Sequence, residues 1–114
     1  NEVTILEKFY ENSEKYAFPF QVMAFATRSA SIKKTIKNYP NCKYIICERS
    51  LEADNNIFAK MLKDDGKIED IEYKIYKHFY ENCKDDVSID GVVYIDSCPS
   101  VCIERNKTRI HQKM

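Results

Sequence analysis

Glycine is scarce in this chain: only Gly66 and Gly91 occur among 114 residues. That is too few for a self-sufficient α/β nucleotide-binding unit, whose phosphate-cradling turns consume several glycines. An excess of charge is also absent. Lys+Arg and Asp+Glu each number 18, which argues against nucleic acid or a membrane surface as a partner, since both select for basic excess. No apolar run approaches the roughly 20 residues of a bilayer span, and no secretory signal pattern is visible. The cysteines (Cys42, Cys47, Cys83, Cys98 and Cys102) include no CxxC pair. An odd count without such a pair fits neither a disulfide framework nor a zinc site. They read as reduced thiols, mostly in packing positions, of a cytoplasmic protein, which leaves room for a mitochondrial or viral origin.

What is present is enough apolar material for a core, 44% of residues, arranged with two different periods. Apolar pairs four apart predict a helix over residues 2–11, a long helix over 14–37, and further helices over 52–64 and 69–83. Pro19 should open or kink the long helix. The last helix should start at Pro99 and run to about Lys113. On the helix over 69–83, Ile71, Ile75, Phe79 and Cys83 form one stripe, with Tyr73, Tyr76 and Tyr80 beside it. Two short β-branched runs, 43–47 and 92–95, predict strands. Strands alternating with helices imply an α/β fold with a parallel sheet. Two strands are too few for this much helix, so residues 1–114 are expected to be a single partial domain of something longer.

Directly after the first of these runs stands Glu48-Arg49-Ser50. The C-terminal ends of parallel strands are where ligands bind. A carboxylate there suits a metal ion and a guanidinium suits a phosphate, although a strand edge followed by a capping serine has the same pattern. Gln21 and Arg28 lie about two turns apart on the long helix, so they share a face, with Ala24 between them. An amide carries both donor and acceptor and can pair with a nucleobase edge. Asp54 and Phe58 share a face of the next helix. Asp54 could pair with Arg28 across a pocket, and Phe58 could stack on a flat ligand. Arg105 and Arg109 are four apart on the last helix, a spacing that suits a polyphosphate as well as an ordinary charged surface.

Taken together, the chain resembles the cellular and viral deoxynucleoside kinases. The likeness rests on Phe18-Pro19-Phe20-Gln21, Arg28, Cys47-Glu48-Arg49-Ser50, Asp54, Ile57-Phe58, Tyr73-Lys74-Ile75-Tyr76, Asp90-Gly91-Val92-Val93-Tyr94, and the run from Pro99 to Arg105. The resemblance implies a partial phosphate-loop (P-loop) kinase fold, with long helices flanking the sheet. It implies that Gln21 bonds the base, Phe58 stacks on it, and Tyr10 sits near the sugar 3′-hydroxyl. Glu48 would help hold Mg²⁺, Arg49 would lie near the 5′-hydroxyl and the moving phosphate, and Arg105 and Arg109 would hold the donor phosphates of ATP. Arg28 with Asp54 is similar to the pattern of members that take deoxycytidine or purine deoxynucleosides. A homodimer is expected, because members of the family often dimerise.

The chain departs from the family pattern in having no GxxxxGK[ST] loop, the element that supplies a phosphate cradle, a lysine and a Mg²⁺-binding hydroxyl. The catalytic base of the family would lie N-terminal to Asn1, so these residues alone are expected to be inactive. The expected role is therefore the central part of a deoxynucleoside kinase. The alternative is a noncatalytic relic of that family that binds nucleosides or dimerises.

Overall fold

A computed structural model of the chain describes residues 3–112, with side chains through Arg109. The expected helix limits at Glu2 and Lys113 lie outside the described residues. Helix α1 (Ile5–Glu11) starts at a capping box: Thr4 Oγ1 accepts from the Glu7 amide, and Glu7 Oε2 accepts from the Thr4 amide at 2.7 Å. Asn12 both ends α1 and begins α2 (Ser13–Asn38). Its backbone N–H closes on Lys8, while its side-chain Oδ1 accepts from the Lys15 amide at 3.1 Å. One residue thus fixes the reversal between the two helices. Phe9 and Phe20 stack across it with ring centres 4.7 Å apart.

Helix α2 runs through Pro19, which it carries in its second turn. The cost is one missing intrahelical hydrogen bond at the Lys15 carbonyl. The helix buries Ala17, Gln21, Phe25 and Ser29, each four residues from the last, so one narrow stripe faces the interior. After an irregular stretch comes α3 (Leu51–Ala53), capped by Ser50, whose Oγ accepts from the Ala53 amide. A π-helical turn (Asp54–Ala59) follows, then α4 (Lys60–Asp64). The expected single helix over 52–64 is therefore widened in its middle. Gly66, at φ 73°, stops α4 in the left-handed conformation that only glycine adopts without strain.

Helix α5 (Asp70–Cys83) packs its tyrosines inward, not its isoleucines. Tyr76 and Tyr80 are buried, and their rings meet Phe25 edge-on at 5.6 and 6.5 Å. With Leu51, Ala59 and Val87 they form the main core. Burying a residue the size of Leu51 contributes about 1.5–3 kcal/mol. Ala17, Leu62 and Ile68 form a smaller cluster between α2 and α4. Helix α6 (Pro99–Gln112) closes the described chain, and its described side chains are all exposed.

The parallel sheet expected from the sequence is not formed. Among the described residues there is no strand at all, and residues 43–47 and 92–95 are irregular. Ile46 is 92% exposed and Val93 88%. An extended run becomes a strand only when a neighbouring backbone takes its amides and carbonyls, and two isolated runs give no independently stable pair. The cysteines also correct an expectation: all five are free, but four are exposed, and only Cys83 is partly buried against the core.

Candidate functional site

The best-connected polar group joins α2, the Glu48-Arg49 stretch and the π-helical turn. Helix α2 projects Gln21 and Arg28 from one face, and both reach Asp54. Arg28 Nε lies 2.8 Å from Asp54 Oδ2, and its Nη1 donates to the Glu48 carbonyl at 2.6 Å. One planar guanidinium thereby ties the loop before α3 to the turn after it, a use that suits its fixed fork of donors. Asp54 is 3% exposed. Burial pushes its carboxyl above the ordinary carboxylate range, with Arg28, and secondarily Arg49, pulling the other way. The pair is thus an ion pair held in a site that disfavours charge.

Gln21 is 2% exposed, and its Nε2 donates to the Asp54 backbone carbonyl at 3.1 Å. Its amide therefore supports the same turn whose carboxylate Arg28 holds. On the far side of that turn, the Arg49 guanidinium lies 4.5 Å from the centre of the half-buried Phe58 ring. Arg49 takes φ 64°, an uncommon conformation for a residue with a side chain. Gln21, Arg28, Glu48, Arg49, Asp54 and Phe58 thus form one connected neighbourhood.

A cleft of about 500 Å³ opens beside it. Ile5, Phe20, Met23, Ala24 and Ile32 contribute the apolar wall, with Arg28 and Glu48 at the polar edge. Apolar walls with a few convergent polar groups are the usual make-up of a small-molecule site.

Three expected site residues stand outside this neighbourhood. Tyr10 is 78% exposed on α1, next to Phe9. Arg105 and Arg109 are exposed on α6, and among the described residues no ion pair or hydrogen bond ties them to Arg28 or Asp54. No cluster of three or more metal-ligating side chains occurs among the described residues. Glu48 offers one exposed carboxylate at the cleft. That fits Mg²⁺ as this ion is commonly held, by one or two carboxylates with substrate phosphates and water. No helix among the described residues is long and apolar enough to cross a membrane.

Sequence reasoning gave Tyr76 no role of its own. It is 1% exposed, and its hydroxyl has no hydrogen-bond partner in the structure. Its signals were its place among Tyr73 and Tyr80 on α5 and in the Tyr73-Lys74-Ile75-Tyr76 segment.

A family model described as deoxynucleoside kinase matches residues 1–113. A fowlpox virus protein named "Probable deoxycytidine kinase" is 37% identical over 108 residues, covering 92% of this chain and 45% of the viral protein. Chicken deoxycytidine kinase 2 is 26% identical, over 92% of this chain and 42% of its own length. Human deoxycytidine kinase is 27% identical, over 89% of this chain and 42% of its own length. The chain spans less than half the length of these three relatives.

Proposed function

The chain belongs to the deoxynucleoside kinase family, and we propose that it forms the nucleoside-binding part of an enzyme that moves the γ-phosphoryl group of ATP to the 5′-hydroxyl of a deoxynucleoside. The observation that carries this reading is the buried Arg28–Asp54 pair beside an apolar cleft. A carboxylate and a guanidinium side by side match a base edge that presents an amino group next to a ring nitrogen or keto oxygen. Cytosine and the purines have such edges. A wrong base leaves buried polar groups unpaired, which is how such a site discriminates.

In this reading Gln21 faces the base edge beside the pair, and Phe58 supplies the stacking surface. Tyr10 approaches the sugar 3′-hydroxyl. Arg49 meets the transferring phosphate, and Arg105 and Arg109 hold the donor phosphates. Glu48 would hold Mg²⁺, which supplies charge neutralisation across the donor phosphates when bound. The residues of this chain act mainly by positioning and by placing positive charge where the phosphoryl group passes. Ile71, Ile75 and Phe79, the exposed stripe of α5, support a homodimer formed through that helix.

The test is ATP-dependent phosphorylation of deoxycytidine, deoxyadenosine, deoxyguanosine and thymidine by the protein in its full natural length. Turnover of deoxycytidine or a purine deoxynucleoside in preference to thymidine is expected. A thymidine preference that survives Arg28→Met would overturn the base assignment, and absence of both turnover and nucleoside binding would overturn the whole reading.

A further inference from the structure

Among the described residues, Arg49 alone combines a side chain larger than hydrogen with a positive φ, 64°. It is exposed, yet its guanidinium has a fixed seat over the Phe58 ring, 4.5 Å from the centre. A sparsely populated backbone conformation persists only where the surrounding structure over-determines it. The cause therefore lies in what holds the chain on either side of Arg49.

Before it, the Glu48 carbonyl accepts from Arg28 Nη1 at 2.6 Å. That bond fixes the peptide plane entering Arg49 to helix α2. After it, Ser50 is extended, with φ −144° and ψ 173°, and its Oγ accepts from the Ala53 amide at 3.2 Å. The Ser50 carbonyl also accepts from the Asp54 amide at 3.1 Å. Ser50 is thus joined twice to the start of the turn that carries Asp54 and Phe58. Between the Glu48 anchor and the Ser50 anchor, only the Arg49 backbone is left to make the bend.

We propose that Ser50 is a positioning residue for Arg49: its cap on Ala53, opposite the Arg28 clamp on Glu48, holds Arg49 in the left-handed conformation from which the guanidinium reaches over Phe58. This rests on the reading above, in which Arg49 meets the transferring phosphate. A guanidinium aimed in advance needs no reorganisation when the phosphoryl group arrives. Without the cap oxygen, Ser50 loses one of its two anchors, Arg49 relaxes toward the ordinary regions of backbone space, and the guanidinium leaves the ring. Ser50 itself touches no reacting atom, so its loss should slow transfer and spare nucleoside binding.

The test compares full-length wild type with Ser50→Ala and with Ser50→Thr, which keeps a capping oxygen. The Arg49 Nε–H resonance, displaced by the Phe58 ring current, should move toward that of a free arginine in Ser50→Ala and stay in place in Ser50→Thr. In steady-state kinetics Ser50→Ala should lower kcat roughly 10–100-fold with the deoxynucleoside KM nearly unchanged, and Ser50→Thr should recover most of the loss. In an Arg49→Ala background, Ser50→Ala should lower the melting temperature as before but leave the residual kcat where it was. An unmoved resonance with unchanged kcat in Ser50→Ala would overturn the inference and leave the proposed function intact. A further fall in kcat in the absence of Arg49 would overturn it too, because Ser50 would then act on the fold at large. A resonance that moves as expected, in a wild-type protein that transfers no phosphoryl group, would sustain the positioning of Arg49 and overturn the proposed function.

Discussion

The guanidinium of Arg49 covers the ring of Phe58 at 4.5 Å, and it does so from a left-handed backbone at φ 64°. For a residue with a side chain that conformation costs about 1–2 kcal/mol. The exposed cation–π contact returns about 0.5–1 kcal/mol, so strain and contact nearly cancel. Arg49→Gly relieves the strain while losing the contact, whereas Arg49→Ala loses the contact and keeps the strain. The glycine variant should therefore be the more stable of the two by roughly 1 kcal/mol, measured by urea unfolding. Under the proposed function, both should lose phosphoryl transfer in the full-length protein. An alanine variant as stable as the glycine variant would show that the backbone is unstrained.

Arg28→Ala leaves the Asp54 carboxylate buried without its cation. Breaking a buried pair costs about 3–5 kcal/mol, but Arg28 keeps 24% side-chain exposure and Asp54 can escape by taking up a proton. The expected loss near neutral pH is therefore roughly 2–3 kcal/mol. Replacing both residues by apolar ones of similar volume should recover much of it. Denaturant titration of the two single variants and the double variant measures this coupling, and simple additivity would count against the pair.

The raised pKa of Asp54 has a definite sign in stability. Well below 3.8, the ordinary value, the carboxyl is neutral both folded and unfolded. As pH rises past it, the unfolded chain ionises first while the folded chain holds its proton. Stability contributed by this group then falls from pH 3.8 up through the higher folded value and levels off above it. Unfolding curves of wild type and Asp54→Asn across this window should diverge, with the wild type losing ground as pH rises. Parallel profiles would show that Arg28 fully offsets burial.

The exposed stripe on α5 should govern association. Ile71, Ile75 and Phe79 are 60%, 42% and 49% exposed and contribute nothing to the core clusters. Ile75→Glu should leave the melting temperature of the monomer nearly unchanged. It should shift sedimentation of the full-length protein from dimer to monomer. A dimer that survives the charge would locate the interface elsewhere.

Much of the polar neighbourhood was legible because it depends on helical spacing and opposite charge. Arg28 and Asp54 sit on helices whose period is plain, and each needs a counter-ion if buried. The sheet was misread because a strand is not a local property: Tyr44-Ile45-Ile46 and Val92-Val93-Tyr94-Ile95 have β-forming composition, but only a partner backbone makes them strands. The inward face of α5 was obscured by hydropathy, which ranks isoleucine above tyrosine. Phe25 reverses that order by offering two aromatic edges to Tyr76 and Tyr80. The widened turn at Asp54–Ala59 left no sequence mark. Asp54 is held there by Gln21 and Arg28, contacts that no local pattern announces.

That turn also bears on how relatives of this chain should be compared. A coil closed by i→i+5 bonds carries one residue more than an ordinary helical turn. Removing or adding a residue within Asp54–Ala59 would swing Leu62, and everything beyond it, around the helix axis relative to Asp54. Relatives of this chain should therefore keep the length of this interval, even where identities differ. Gaps between family members should gather instead near Asp65-Gly66, where the backbone has already left the helix.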